Sequence, residues 1–247
     1  LRKLHQVGKL SERASAMWAA QKPVEELYDL KTDPHELANL AESAQHREVK
    51  EKLAMELRRW MVAHRDSGLL PEAEYQIRAA NAGVTPLDIV RDDEAFDLKS
   101  TLSAAWQVGD SDVPRAQLIE GLEHDEAGVR YWSAVALQVR GKQAKAAKSA
   151  LIQVLQDESP AVRIAASDAL LELGDNDAAL RTLGEVVQDD RPWVALQAAR
   201  SLALLGERSR PVVSLMKKVI AENRSEPGSP RPYKDFNYAS FTGWALE

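Results

Sequence analysis

The sequence has 247 residues, of which 45% are hydrophobic, and a formal net charge of −6 at pH 7. This length can form one or two units with a buried core, and no apolar run approaches the roughly 18 residues that a membrane span needs. The 32 basic and 38 acidic residues are mixed along the chain, so no basic stripe predicts a nucleic-acid partner. Cysteine is absent, which excludes disulfides and thiol chemistry.

The first predicted elements lie within residues 25–41. A short edge strand is favoured over residues 25–30, where apolar residues are interspersed with carboxylates. The apolar residues of this strand are Leu27, Tyr28 and Leu30. Asp33 is a suitable N-cap, Pro34 is tolerated at the first helical position, and Glu36 can complete a capping box. We therefore predict a strand, a turn and a helix that begins after Asp33.

The same stretch resembles the C-terminal signature of the sulfatase family. It reads Glu25-Glu26-Leu27-Tyr28-Asp29-Leu30-Lys31-Thr32-Asp33-Pro34-His35-Glu36-Leu37-Ala38-Asn39-Leu40-Ala41. Further similarity to bacterial sulfatases is carried by residues 4–10, Trp18, Lys22, Pro23, Leu53, Leu57, Trp60, Met61 and residues 66–68. The resemblance covers residues 1 to about 75. It implies a small α+β segment whose remaining strands lie upstream in a longer protein, so that residue 1 is a cut and not a natural start.

The resemblance implies that the whole protein hydrolyses a sulfate ester or sulfamate in the periplasm or outside the cell. Sulfatases use calcium and a formylglycine that is made from Cys or Ser in a C/S-x-P-S/A-R motif. The nearest match, residues 225–229, has Gly228 and Ser229 where the motif requires Ser or Ala and then Arg, and it follows the signature instead of preceding it. We therefore assign no catalytic, cofactor-binding or metal-binding residue to this chain. The sulfated substrate and calcium belong to its own upstream catalytic domain.

An internal repeat of 32 to 33 residues occupies the second half of the chain. Three sets of residues keep this spacing: Gly141, Gly174 and Gly206; Val129, Val162 and Val194; and Leu122, Leu155 and Val187. Each unit has an apolar helix end, an acidic loop, a second helix and a glycine. The acidic loops contain Asp125-Glu126, Asp157-Glu158 and Asp189-Asp190. The pattern resembles the short HEAT repeat, which is also found in phycobilin lyases.

The residues of the second helices predict close packing between neighbouring units. Small side chains let the helices approach, and a leucine in each helix fills the remaining space. These residues are Ala134, Ala136, Leu137, Ala165, Ala166, Ala169, Leu170, Ala198, Ala199, Leu202 and Ala203. Each glycine after a second helix can adopt a left-handed conformation that ends it, while Pro160 and Pro192 suit a first turn. One hairpin cannot bury its own apolar face, so the units must stack.

The predicted fold class is mainly α: a HEAT-like α-solenoid of helical hairpins preceded by a small α+β sulfatase-like segment. The segment covers residues 1–75, a linker covers 76–92, and the solenoid covers 93–247. Its units are 93–109 (partial), 113–141, 144–174, 178–206 and 210–247. Five of the 14 aromatic residues lie in the last 15 positions: Tyr233, Phe236, Tyr238, Phe241 and Trp244. They form either a ligand surface or, as we favour, a final helix that buries them against the last repeat.

Other polar groups give weak signals for a metal site. The histidines (His5, His35, His46, His64 and His124) form no H-E-x-x-H motif and no i, i+4 pair. Residues 175–177 resemble the start of a calcium loop, but Ala179 and Leu180 replace the next ligand and the turn glycine. Residues 91–94 are acidic enough to hold a cation, although such runs are usually solvated. None of these patterns predicts a metal centre.

Three functional hypotheses follow. The first is the C-terminal accessory part of a sulfatase, inactive alone, with HEAT-like repeats for assembly or for binding a protein partner. The second is a freestanding HEAT-repeat interaction scaffold with no enzymatic activity. The third, a protein that acts on a chromophore like the phycobilin lyases, is supported by the repeat alone and opposed by residues 1–75. Fold analogy by itself assigns no chemistry.

Overall fold

The computed structural model describes residues 2–15, 18, 22–227, 229–230, 232–235 and 238–247. The regular structure in this part of the chain is helical, and no β-strand forms there, although Arg224 and Tyr233 make an isolated antiparallel bridge. None of the described helices is long and apolar enough to cross a membrane. The chain divides into two compact units, residues 1–63 (unit 1) and residues 64–247 (unit 2).

The described residues of unit 1 form two short α-helices, one long α-helix and, directly before the long helix, a 3-10 turn at Ala44–His46. These helices are α1 (Arg2–Gln6), α2 (Glu12–Ser15) and α3 (Arg47–Ala63). The strand predicted over residues 25–30 does not form. Instead, Leu27 donates its N–H to Asn39 Oδ1 at 2.9 Å and accepts from Leu40 N–H at 2.8 Å, while Asn39 Nδ2 donates to the Glu25 carbonyl at 3.1 Å. An asparagine side chain thus takes the hydrogen bonds that a neighbouring strand would otherwise supply.

The helix predicted after Asp33 does not form either. The Asp33 carboxylate accepts from the N–H groups of Leu37 and Ala38 at 2.7 and 2.8 Å, four and five residues ahead, where a helix N-cap would accept two or three residues ahead. These bonds lower the pKa of Asp33, that from Ala38 most. Glu36 has a φ of 53°, a left-handed conformation that interrupts a right-handed helix. The carboxylate therefore closes a loop.

Unit 2 begins with three helices ahead of the repeats. They are α4 (Glu72–Ala82), α5 (Pro86–Arg91) and α6 (Leu98–Ala105). The range 76–92, predicted to be a linker, lies mostly in α4 and α5. The partial unit predicted at 93–109 contains the single helix α6.

Among the residues that the structure describes, four helical hairpins follow in two layers. The first helices are α7 (Arg115–Glu120), α9 (Lys148–Val154), α11 (Asn176–Val186) and α13 (Val213–Asn223). The second helices are α8 (Ala127–Arg140), α10 (Pro160–Glu172), α12 (Pro192–Leu205) and α14 (Tyr238–Leu246). The second helices pack side by side in chain order, with α6 against the outer side of α8. This is the stacking that the repeat spacing predicts.

The core of unit 2 lies between these layers. Leu137, Leu170 and Leu202, one per repeat, are at most 1% exposed. Each such leucine contributes about 1.5–3 kcal/mol through burial. The alanines predicted to allow close approach are also buried, Ala166 and Ala199 completely, with the exception of Ala203, which is exposed. The glycines at 141, 174 and 206 have positive φ values of 51°, 84° and 54°, which favour glycine at the helix ends. The ψ values of Gly141 and Gly206, −132° and −124°, lie outside the left-handed helical region that we expected.

Candidate functional site

The acidic loops of the repeats meet at the N-terminal ends of the second helices. Their carboxylates accept backbone N–H groups there: Glu126 from Gly128 at 3.0 Å, Asp157 from Ser159 at 2.8 Å and Asp189 from Arg191 at 2.9 Å. Gly128 is the second residue of α8, so Glu126 satisfies a donor that the helix leaves free at its start and works as a helix cap. Ser159 and Arg191 directly precede α10 and α12, so Asp157 and Asp189 close the loops ahead of these helices, where their negative charge favours the positive end of the helix dipole.

Arg130 connects the first two of these loops. Its Nε and Nη2 bind the two carboxylate oxygens of Asp157 at 2.7 and 2.9 Å, and its Nη1 donates to the carbonyls of His124 and Asp125 at 2.8 Å. Arg130 is 7% exposed. Burial alone would lower its pKa, but the hydrogen bonds and charge of Asp157 raise it. The guanidinium is held by two repeats at once.

Helix α4 lies against the same loops. Glu74 is 7% exposed and accepts from Arg78 Nε at 2.9 Å and from the Ser159 hydroxyl at the start of α10. Arg78 in turn binds Glu126 through Nη2 at 2.6 Å and the Ala95 carbonyl through Nη1 at 2.7 Å. Burial would raise the pKa of Glu126, but its bonds to Arg78 and Gly128 lower it, so the carboxylate is charged at neutral pH. We call Glu74, Arg78, Glu126, Arg130, Asp157 and Ser159 the charged seam.

The other end of α4 reaches the last repeat. Tyr238 donates its hydroxyl to Glu72 Oε1 at 2.6 Å, and its ring meets the edge of Trp193 with centroids 6.2 Å apart. The hydrogen bond to Glu72, together with burial, raises the pKa of Tyr238 to about 12. Helix α4 thus contacts residues at the starts of α8, α10 and α14.

A second polar contact joins two neighbouring second helices. Ser201 of α12 donates to Asp168 Oδ2 of α10 at 2.8 Å. Burial raises the pKa of Asp168 to about 6 in spite of this hydrogen bond, and the charge of Glu172 raises it further. Burial also raises the pKa of Tyr131 on α8, with a smaller contribution from the charge of Asp168. Asp168 therefore changes charge close to neutral pH.

The C-terminal aromatic residues are divided between core and surface. Tyr233 is 1% exposed and donates to Glu247 at 2.5 Å, whereas Phe241 and Trp244 are 50% and 48% exposed. The ring of Trp244 contacts those of Tyr233 and Phe241 edge-on, at 6.1 and 5.5 Å. The final helix forms as expected, but it does not bury its own Phe241 and Trp244, so the favoured expectation is wrong for these two; Tyr233 is buried but precedes the helix. Phe236 lies outside the described residues.

The patterns that resemble metal sites have other roles. Across the described residues, no three His, Cys, Asp or Glu side chains form a group that could hold a metal ion. His124 Nδ1 accepts from Glu126 N–H at 3.0 Å, Asp175 pairs with Lys148 at 2.9 Å, and Asp93 pairs with Arg65 at 2.7 Å. Residues 225–229 include Gly228, which lies outside the described part.

No motif in the sequence indicated the α4 residues of the charged seam. Glu74 and Arg78 are four residues apart, a spacing that favours an ion pair on one helix face. Apolar Ala73 and Ile77 have the same spacing and contact the solenoid core. These two i, i+4 pairs indicate a helix that packs against another surface. A pattern of four residues is too short to identify that helix from the sequence.

Comparisons with known proteins found one sequence family and one curated relative. A sequence-family model for HEAT repeats matches residues 115–203 and 149–225. The chain contains HEAT repeats. The Ulvan-active sulfatase of Formosa agariphila is 42% identical to it over 74 residues, which are 30% of this chain and 12% of that protein. No solved structure matches the chain.

Proposed function

We propose that this chain is the C-terminal accessory part of a sulfatase, in which unit 1 completes the catalytic domain and the HEAT repeats bind a protein partner or mediate assembly. The observation that carries the proposal is the lack of a core in unit 1. Among its described residues, Ala41 is the one buried hydrophobic residue, at 4% exposure. Ten large hydrophobic residues are exposed: Leu4, Val7, Val24, Leu30, Leu37, Val49, Leu53, Met55, Leu57 and Trp60.

Most of the exposed large apolar residues of α3 lie on one face, with Met55 on the opposite side. Val49, Leu53 and Leu57 recur every four residues and are 50–53% exposed, while none of the described residues of α3 is buried. An amphipathic helix is stabilised mainly by packing this face against another surface. A stripe of this size in contact with water favours association. The face of α3 is therefore a docking surface.

The proposed occupant is a sulfatase catalytic domain that precedes residue 1 in the same polypeptide. Two observations support this choice: the resemblance of residues 1 to about 75 to the end of bacterial sulfatases, and the 42% identity to a sulfatase over 74 residues. The calcium and formylglycine of that family do not fit the residues present here, because the described acidic groups form no metal-binding set and residues 225–229 lack the required Arg. We assign the hydrolysis to the upstream domain. The substrate class is a sulfate ester, and a sulfated polysaccharide is the first substrate to test.

The test begins with the gene upstream of the codon for Leu1. An open frame that encodes a C/S-x-P-S/A-R motif is expected, and a start codon at that point would overturn the proposal. Hydrogen exchange of α3 is then compared between the full-length protein and residues 1–247. The amides of α3 are expected to exchange about tenfold more slowly in the full-length protein, because docking suppresses local opening.

Two variants of the full-length protein make this test specific to the apolar face. Leu53→Lys places a charge on the stripe and is expected to abolish the added protection and lower sulfate release from a sulfated polysaccharide. Glu51→Lys introduces the same residue at an exposed polar position of α3 and is expected to leave both unchanged. Equal exchange of α3 in the two proteins, or equal effects of the two variants, would contradict the docking.

A freestanding interaction scaffold is the second candidate. It is favoured by the extent of the HEAT repeats, which match residues 115–225, whereas the similarity to the sulfatase covers 30% of the chain. HEAT repeats are generally modules for protein interaction. A start codon at Leu1, together with a chain that releases no sulfate, would select this candidate.

A further inference from the structure

Helix α4 makes three polar contacts with three different repeats. In the second half of α4, Arg78 pairs with Glu126 at the start of α8. In its first turn, Glu74 accepts from Ser159 at the start of α10. At its N-terminal end Glu72 accepts from Tyr238 at the start of α14. One helix of 11 residues therefore spans the first to the last hairpin of the solenoid.

These contacts join residues that are far apart in the sequence. The separations are 48 residues for Arg78–Glu126, 85 for Ser159–Glu74 and 166 for Tyr238–Glu72. Within the repeats, by contrast, Arg130–Asp157 and Ser201–Asp168 are 27 and 33 residues apart, which is one repeat. The repeat contacts are nearest-neighbour contacts, and those of α4 are not.

Two of the three contacts of α4, those with Glu126 and Ser159, are made in a desolvated environment, whereas the Glu72–Tyr238 contact is exposed. Ala73 is 1% exposed and belongs to the hydrophobic core of the solenoid, and Glu74 is 7% exposed. The side chains of Arg78 and Glu126 are 20% and 10% exposed. Charged hydrogen bonds at such positions are costly to break, because the partner is left buried and unpaired. Separation of α4 from one repeat therefore weakens the whole assembly.

We propose that α4 is a brace that couples the four hairpins into one cooperative unit. In a solenoid with nearest-neighbour contacts alone, repeats at the two ends open independently. The brace binds the first and last repeats through one helix. Neither repeat opens without releasing one end of the helix that holds the other. Local opening of single repeats is suppressed, and the solenoid holds one shape when it binds a partner.

The test is native-state hydrogen exchange of residues 1–247, resolved by helix, with one conservative variant at each end of the brace. Arg78→Lys keeps the charge but loses the bidentate contact with Glu126 at the start of α8. Tyr238→Phe removes the hydroxyl that donates to Glu72 from the start of α14. Each variant is expected to speed exchange in α8, α10, α12 and α14 by the same factor, about three- to tenfold, since all of them open together. The decisive measurements are hydrogen exchange of α14 in the Arg78→Lys variant and of α8 in the Tyr238→Phe variant. In each variant, the helix named does not touch the altered residue.

A control variant separates this effect from the loss of any ion pair. Arg210→Ala removes the exposed pair with Glu207, whose side chains are 78% and 86% exposed, and is expected to leave exchange unchanged. An effect that decays with distance, with α8 alone faster in Arg78→Lys and α14 alone faster in Tyr238→Phe, would overturn the brace. Unchanged exchange throughout in both variants would overturn it as well.

Discussion

Carboxylates in the repeat loops show how single residues stabilise this molecule. Asp157 accepts from Ser159 N–H in the loop directly ahead of α10 and binds both Nε and Nη2 of Arg130 from the preceding repeat. One carboxylate thereby closes a loop and fixes its distance from a neighbour. Because the pair is buried, Arg130 cannot be removed without leaving a charge unpaired. An acidic residue that looks solvated in the sequence is thus a structural contact between repeats at Asp157.

Asp168 gives a prediction for pH dependence. Its pKa in the folded protein, about 6, lies above the ordinary value of 3.8, so the folded state holds this proton more tightly than the unfolded state. The contribution of Asp168 to stability is therefore fully present below about pH 4 and is lost as the pH rises to 6. We expect Asp168→Asn, which still accepts from Ser201, to raise the free energy of unfolding at pH 7 by about 1–3 kcal/mol.

The measurement is urea unfolding at pH 4, 5, 6 and 7. The gain of the Asp168→Asn variant over the wild type is expected to grow between pH 4 and 6 and to level off above. Asp190→Asn, at an exposed position, serves as the control and is expected to follow the wild type at every pH. A constant difference between Asp168→Asn and the wild type would show that Asp168 does not titrate in this range.

At the scale of elements, the last hairpin depends on one close approach. Helix α14 places Gly243 beneath the ring of Tyr233, so that a Cβ added at Gly243 would lie 2.0 Å from Tyr233 Cε1. Tyr233 follows α13 and forms the isolated bridge with Arg224. Because Gly243 has no side chain, the Tyr233 ring can pack against α14 at the end of the solenoid.

We expect Gly243→Ala to destabilise the protein by about 2–4 kcal/mol, because the new methyl group displaces the Tyr233 ring from its buried position. The measurement is a double-mutant cycle by urea unfolding with Tyr233→Ala. In the Tyr233→Ala background, Gly243→Ala is expected to be neutral or stabilising by up to about 1 kcal/mol, since alanine favours a helix. Equal costs in both backgrounds would contradict a steric origin.

The repeats could be predicted from the sequence, whereas α4 and the loop of unit 1 could not. Regular spacing of glycine, valine and leucine identifies the hairpins, because each repeat buries the same positions and ends its second helix in the same way. The loop at residues 25–40 depends on Asn39, whose side chain bonds to Leu27 and Glu25 at distances that no local pattern encodes. Likewise, Glu74 is placed by Ser159, 85 residues away.

At the scale of the whole molecule, the two units differ in how much apolar surface they bury. Helix α3 of unit 1 has no buried residue among those described, while α13 of unit 2 buries Met216 and Val219. Both helices present an exposed lysine, Lys52 and Lys217. Because packing supplies most of the stability of a helix, the two helices open with different free energies.

Limited proteolysis with trypsin tests this difference in residues 1–247. Cleavage after Lys52 is expected to be at least about tenfold faster than cleavage after Lys217, because the protease needs a locally unfolded helix and α3 opens more often. Mass spectrometry of the fragments over time gives both rates. In the full-length protein the rate at Lys52 is expected to fall to that at Lys217. Equal rates in residues 1–247 would show that unit 1 is stable alone.

Helix α4 also imposes an order of events during translation. Glu72 leaves the ribosome 166 residues before its partner Tyr238. At about 5–20 residues per second, the helix waits about 10 to 30 seconds for the last hairpin to be made. During this time Ala73 and Ile77 have no complete core to enter, and Glu74 meets Ser159 only when about half of that interval has passed. The nascent chain therefore carries an unfinished apolar surface until synthesis is almost complete, which makes it a substrate for chaperones at that stage.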